Sequence, residues 1–293
     1  MKKSLYNMVV LAIITLIAPP FSQGATTQQM RFHCVNDTTK INELLKKGLD
    51  CNPQTAHALM SFYGHQLLGT PYVAHTLEGE TEMLTINIDE LDCTTYVETL
   101  YALARTTLDG RYSWRDYAGH LQNLRYRNGV IDGYASRLHY ISNWAIENTS
   151  RGNIKEVTMD LPGARSIIKN IDFMTTHREA YKQLKDSATY AEVKKYEIGY
   201  RNHKFYYIPK TQMGNKQLKE SLQEGDIVGL VTKIEGLDVS HMGVIVKDEK
   251  GDIFLMDASM TAGKVQVESQ NMAEMLRRSK SNMGIRVFRL KQD

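Results

Sequence analysis

Cysteine is scarce in this chain, 3 in 293 residues, so a small disulfide-stapled scaffold is excluded. Excess charge of one sign is scarce as well: 36 basic side chains stand against 33 acidic ones, a net of +3. A protein that grips a phosphate backbone carries a clear basic excess, so nucleic acid is not an expected partner. No apolar run reaches the roughly 20 residues that span a bilayer. There is no internal repeat and no low-complexity linker. His-Glu-x-x-His, Cys-x-x-Cys and Gly-x-Ser-x-Gly are all missing. Metal-dependent and serine hydrolases thereby lose their usual sequence supports, and no metal or other cofactor is expected. What is present is ordinary globular composition, 42% hydrophobic and 24% charged, which excludes a disordered or fibrous chain.

The N-terminus reads as an address. Lys2 and Lys3 precede an apolar run from Met8 to Ala18, Pro19 and Pro20 end it, and Ser22-Gln23-Gly24-Ala25 supplies small residues for cleavage. That is the pattern of a secretory signal peptide over residues 1–24. Its removal takes away two lysines and leaves 34 basic and 33 acidic residues. Residues 25–293 are read as one exported domain without stable membrane insertion, with the periplasm as the expected compartment and secretion beyond the cell as the alternative. Export places the thiols in an oxidising environment. Cys34 and Cys51 flank a segment with a helical pattern at Ile41, Leu44 and Leu45, and a bridge between them is expected to pin the mature N-terminus. Two reduced, buried cysteines are the alternative. Cys93 is then the odd thiol.

Apolar spacing predicts a helix over 53–68, stopped by Gly69, and a turn at Gly69-Thr70-Pro71-Tyr72. Alternation of Ile86 and Ile88 with polar neighbours predicts a strand over 85–91. Val97, Leu100, Tyr101 and Ala104 mark a buried helix from Cys93 onward. Residues 114–201 read as mostly helix and loop. Five short strands are expected at 226–232, 241–247, 253–257, 264–268 and 284–290, separated by Gly, Asp and Lys turns. Helices first and antiparallel strands after is an α+β order.

Two positions carry chemistry. Leu91-Asp92-Cys93-Thr94-Thr95 puts a thiol in the first turn of an amphipathic helix, where the positive end of the helix dipole favours thiolate. Ser240-His241-Met242-Gly243 puts an imidazole at the start of a strand, with Gly243 on the same face leaving room beside the ring. If Glu249-Lys250-Gly251 is a three-residue hairpin loop, Asp248 pairs with Asp252 and Asp257 with Gly243. His241 and Asp257 then become diagonal neighbours on one face, and Asp257 can orient the ring. A slip of one residue would turn Asp257 away.

Gly69-Thr70-Pro71-Tyr72, then Asp92-Cys93, then Ser240-His241-Met242-Gly243 resembles the NlpC-type cell-wall peptidases of papain-like fold. More narrowly, the chain resembles their N-acetylmuramoyl-L-alanine amidase-like family. The stretches Leu91–Glu98, Ser136–Tyr140, Tyr207–Lys210, Glu224–Ile227 and Gly236–His241 carry the likeness in the expected order. The resemblance implies N-terminal helices, the catalytic Cys93 at a helix start, and a C-terminal antiparallel sheet or barrel. It implies hydrolysis of the amide between N-acetylmuramic acid and L-alanine in released anhydro-muropeptides, with Cys93 as nucleophile and His241 as base. Tyr72 is expected beside the nucleophile, and Asp92, Arg137, His139, Tyr140 and Asp238 near it or along a substrate wall. The third catalytic position departs from the family pattern, with Asp257-Ala258-Ser259 where His-Ala-Ser is expected. A D-glutamyl-diamino acid endopeptidase and a non-catalytic glycan-binding protein are the competing readings.

Overall fold

A computed structural model describes residues 30–51 and 55–292, so the leader read at 1–24 lies outside the described residues. A short strand β1 (Met30–Phe32) opens them. In α1 (Asp37–Cys51), Ile41 and Leu45 fall one turn apart and are fully buried. In α2 (Ala56–Gln66), Leu59, Met60 and Tyr63 do the same, and the Thr55 side chain caps the helix by accepting the Ala58 N–H. The chain leaves that helix through Gly69 at φ +86°, a left-handed conformation that favours glycine.

The strand expected over 85–91 is shorter than its alternation suggests. Only β2 (Leu84–Ile86) pairs, in parallel, with β1. Asn87 ends it: its side-chain oxygen accepts the N–H groups of both Asp89 and Glu90, which turns the backbone before it can extend. The next helix, α3 (Cys93–Leu108), is buried over most of its length and packs against α1, α2 and the later sheet. It is followed by α4 (Trp114–Arg125) and α5 (Ile141–Ser150). Arg125 and Glu98 join α4 to α3 by a buried ion pair at 2.6 Å, and Arg125 also donates to the Thr85 carbonyl. Removing one partner of such a pair would strand a charge away from water.

The segment 114–201 is not only helix and loop. It holds β3 (Ile154–Glu156) and β4 (Arg165–Lys169) besides α6 (Phe173–Thr176) and α7 (Ser187–Ile198). β4 is half-exposed and shows no apolar alternation, so its strand state comes from pairing with β5 (His203–Pro209). After α8 (Lys216–Ser221) come β6 (Ile227–Thr232), β7 (Val239–Lys247), β8 (Ile253–Ser259) and β9 (Lys264–Val267). Then α9 (Met272–Arg278) and β10 (Asn282–Leu290) complete the described chain. The five strands expected in this region are all present. With β4 and β5 they form an antiparallel sheet in the order β4-β5-β10-β6-β7-β8-β9, with β3 also on β10. The architecture is mixed α and β with a mostly antiparallel sheet. Arg286 of β10 is fully buried and forks onto Glu156 at 2.9 Å while reaching Ser142 at 2.7 Å, so it locks β10, β3 and α5 together.

The expected Cys34–Cys51 bridge is not made: both thiols are free. The reason is helix length. α1 separates them and by itself rises about 20 Å, whereas a disulfide needs Cα atoms within about 7 Å. Cys34 Sγ instead lies 3.4 Å from Asp37 and 3.5 Å from Asp89. Both thiols should therefore alkylate without prior reduction, and Cys51→Ser should leave the melting temperature unchanged. A protein 2 Da lighter than the reduced mass would contradict this. Gly284→Ala should be clearly destabilising, because a Cβ there would sit 1.9 Å from the Ile208 carbonyl oxygen of the adjoining strand; thermal melting checks it.

Candidate active site

The start of α3 is fixed by its own sequence. Asp92 is the N-cap, in extended conformation, and its carboxylate accepts the Thr95 N–H at 2.8 Å. The Thr95 hydroxyl in turn accepts the Asp92 N–H at 2.8 Å. This reciprocal box leaves Cys93 as the first helical residue, on an end rich in unpaired N–H groups. The 69–73 turn is strapped beside it: the Leu91 N–H donates to Pro71 and the Val73 N–H donates to Leu91. Tyr72 is therefore held next to Cys93. Burial pushes its phenol pKa up, and the nearby Cys93 and Asp92 push it further. The phenol thus keeps its proton and can donate.

The β7–β8 hairpin follows the register expected from sequence. Gly251 at φ +77° closes the Glu249–Gly251 loop, and Asp248 pairs with Asp252 through an N–H to carbonyl bond of 3.1 Å. Val244 then lies opposite Met256, which carries the ladder toward Gly243 and Asp257. β7 begins two residues earlier than expected, at Val239, with a bulge against β6 between Leu230 and Val231. The His241 ring donates from Nε2 to Asp257 Oδ2. Asp257 is 3% exposed and His241 25% exposed, so water competes little for this bond. The Cys93 thiol interacts with the ring as well. Burial alone would lower the imidazole pKa. The hydrogen bond to Asp257 and the interaction with Cys93 outweigh it and push the value up to about 10. The three residues picked from sequence as nucleophile, base and orienter are brought together.

A cleft of about 600 Å³ opens beside the helix start. Asp92 and Thr94 line one end, and Glu78, Arg137, His139, Tyr140 and Lys182 line the rest. Arg137 does not wait for a ligand carboxylate: it is buried, bonded to Glu78 at 2.8 Å and 3.5 Å from Glu82. His139 is buried and its Nε2 meets the Tyr134 carbonyl. Burial and the neighbouring Arg137 drive its pKa down to about 3, so it is a neutral ring. Tyr140 is anchored too, donating to Glu197 at 2.7 Å and accepting from the Met174 N–H at 2.7 Å. Two further side chains are taken up by the interior. Trp144 is 1% exposed and belongs to the core, packed edge-on against Phe288. Asp238 is wholly buried, its oxygens accepting the N–H groups of Ser142 and Val239. It is a structural carboxylate and does not reach the His241 ring.

Sequence reading missed Tyr96, one turn along α3 from Cys93. Its hydroxyl and Asp257 Oδ1 are both buried without a hydrogen-bond partner among the described residues, and burial pushes the phenol pKa up. Its i+3 spacing from Cys93 was the available signal. Glu78 and Gly79, which build the cleft rim, fall in a stretch with no periodicity to read.

The raised His241 pKa fixes a sign. A folded-state value above the ordinary 6.5 gives stability that is whole below about pH 6.5 and is lost as pH climbs through about 10. Thermal melting from pH 6 to 11 should show this alkaline decline, and Asp257→Asn should flatten it. A decline of equal size in that variant would detach it from the pair.

The geometry can be set beside known proteins. The profile of the N-acetylmuramoyl-L-alanine amidase-like family matches residues 62–285, a span that holds Tyr72, Cys93, His241 and Asp257. A solved N-acetylmuramoyl-L-alanine amidase from Bacteroides uniformis is 36% identical, with a TM-score of 0.75, and the match covers 80% of this chain and 99% of that one. A Bacteroides fragilis structure provisionally assigned as a xylanase is 40% identical, with a TM-score of 0.72 and coverage of 78% and 99%. A Legionella pneumophila protein shares the fold at 21% identity and a TM-score of 0.65, covering 86% and 94%. No curated protein matches. The matched span, together with the likeness in fold, shows that this chain belongs to the N-acetylmuramoyl-L-alanine amidase-like family.

Proposed function

We propose that the chain is an exported peptidoglycan hydrolase that cleaves the amide between N-acetylmuramic acid and L-alanine, acting on released anhydro-muropeptides. The carrying observation is a thiol at a helix start, facing an imidazole held by a buried carboxylate. In this reading the helices and the antiparallel sheet make up one papain-like, NlpC-type domain over residues 25–293, following the 1–24 leader.

The imidazole beside the thiol allows a thiolate–imidazolium pair, since the raised His241 pKa keeps the ring protonated at neutral pH. Cys93 attacks the lactyl carbonyl carbon, and its electrons move onto the carbonyl oxygen. The Cys93 N–H and the Tyr72 hydroxyl are the donors that meet that oxyanion. His241 gives its proton to the leaving amine of L-alanine, which leaves a thioester. It then takes a proton from water, and hydroxide releases the muramic acid carboxylate and regenerates the thiolate. Asp257 holds the ring in one tautomer and faces its positive charge. Cleavage of a glycosidic bond would instead call for two carboxyl groups across the scissile bond. At the helix start the pair is thiol and imidazole, which supports acyl transfer.

Product masses from a defined muropeptide test the bond assignment: free L-alanyl peptide is expected, and a muramoyl-L-Ala-D-Glu product together with a released diamino-acid fragment would assign an endopeptidase. Cys93→Ala and Cys93→Ser should abolish turnover without a change in melting temperature, while residual hydrolysis by folded Cys93→Ala would end the mechanism. EDTA should leave the rate unchanged. Asp257→Ala should lower kcat/KM by about two to four powers of ten and alter its pH profile, with Asp257→His retaining more activity than Asp257→Ala. Failure of Cys93 to react with iodoacetamide would favour a non-catalytic glycan binder.

A further inference from the structure

A second cleft, of about 620 Å³, lies at the far end of α3. Helical rise over residues 93–108 sets it about 22 Å from Cys93. Its walls come from the C-terminal turns of α3, the outer face of α4, and the Gly129 and Arg151–Asn153 loops. Cations dominate it: Arg105, Arg111, Arg115 and Arg151 all line the cleft, and Lys291 Nζ lies 3.9 Å from where a Gly152 Cβ would be. Two carboxylates answer them. Asp109 takes Arg105 at 2.6 Å and His120 at 3.1 Å, and Asp116 takes Arg111 at 3.3 Å.

Among the described residues, that leaves two guanidiniums with no carboxylate in ion-pair range. Arg115 stacks on the Trp114 ring at 4.4 Å, and among the described residues Arg151 donates to the carbonyls of Glu147 and Tyr126 and to the Asn148 side-chain oxygen. Three of the five N–H groups of Arg151 are so used, and the fork is half-buried. Burial lowers its pKa by more than the nearby Glu147 carboxylate raises it. A fork with free N–H groups in a partly desolvated wall is suited to a planar carboxylate. Gly119 also lines the cleft, and a side chain at that position would meet nothing within 4 Å, so the α4 wall stays open.

We propose that this cleft is a second binding site, for the carboxylates of peptidoglycan stem peptides still attached to the wall, and that it tethers the protein to polymer while the cleft beside Cys93 takes the chain to be cut. The inference rests on the peptidoglycan reading above. Tethering raises the local concentration of substrate and leaves the chemical step alone.

The test measures binding apart from turnover. Purified sacculi are pelleted with the full-length Cys93→Ala protein and with the same protein carrying Arg111→Glu and Arg115→Glu, at low and moderate salt. The arginine variant should bind at least about tenfold more weakly, and salt should weaken the parent far more than the variant. In the catalytically intact background, the same two substitutions should leave kcat/KM on a small soluble muropeptide within twofold. Equal binding by the two proteins, or no binding by the parent, would overturn the proposal. If sacculus binding falls as expected while the intact protein cuts no muropeptide, the tether stands and the amidase reading falls. A drop in soluble-muropeptide turnover matching the loss of binding would place these arginines in the main substrate path and overturn a separate site.

Discussion

The contact between Asp257 and His241 is the constraint on which the candidate site hangs. A carboxylate that is 3% exposed must find a partner or be neutralised, and the imidazole is the partner the fold supplies. The bond works in both directions. It makes the buried acid tolerable, and it holds the ring protonated beside Cys93. Because the two residues sit on adjacent strands, the bond depends on hairpin register, and register depends on the Gly251 turn. A loop residue with no contact to the site thus decides whether the site forms.

Bringing the hairpin to Cys93 is a task for packing. α3 lies against β7 and β8 and is itself surrounded by α1, α2 and α4. Buried polar groups fix its position where apolar contact would let it slide. Arg125 ties Glu98 on α3 to the β2 carbonyl, and the Asp92–Thr95 box sets which residue begins the helix. Arg286 and Asp238 likewise tie β10 and the entry to β7 onto α5. Each of these bonds is directional, so together they hold the thiol and the imidazole in one relative placement.

The cleft beside the site shows a different use of charge. Its arginine, histidine and tyrosine were singled out as ligand contacts, yet each already has a protein partner: Glu78 for Arg137, the Tyr134 carbonyl for His139, Glu197 for Tyr140. Internal pairing stiffens the wall and lowers the cost of ordering it around a substrate.

How much was legible in the sequence follows from the range of the forces involved. Cys93 at a helix start, the strand carrying His241, and the hairpin that sets Asp257 beside it depend on neighbours within about twenty residues, and periodicity and turn chemistry show them directly. The shortened β2 and the strand state of β4 escaped because one is ended by an Asn87 side chain and the other is made by pairing with β5. The expected disulfide failed because the helix read between Cys34 and Cys51 itself holds their Cα atoms too far apart to bridge. The role of Asp238 escaped because one of its two donors, Ser142, lies far off in the chain. Sequence by itself determined the identity of the candidate groups and the local geometry of each. Only the tertiary structure decided which of them meet, because burial and long-range pairing choose a polar side chain's partner, and neither is a property of its neighbours in the chain.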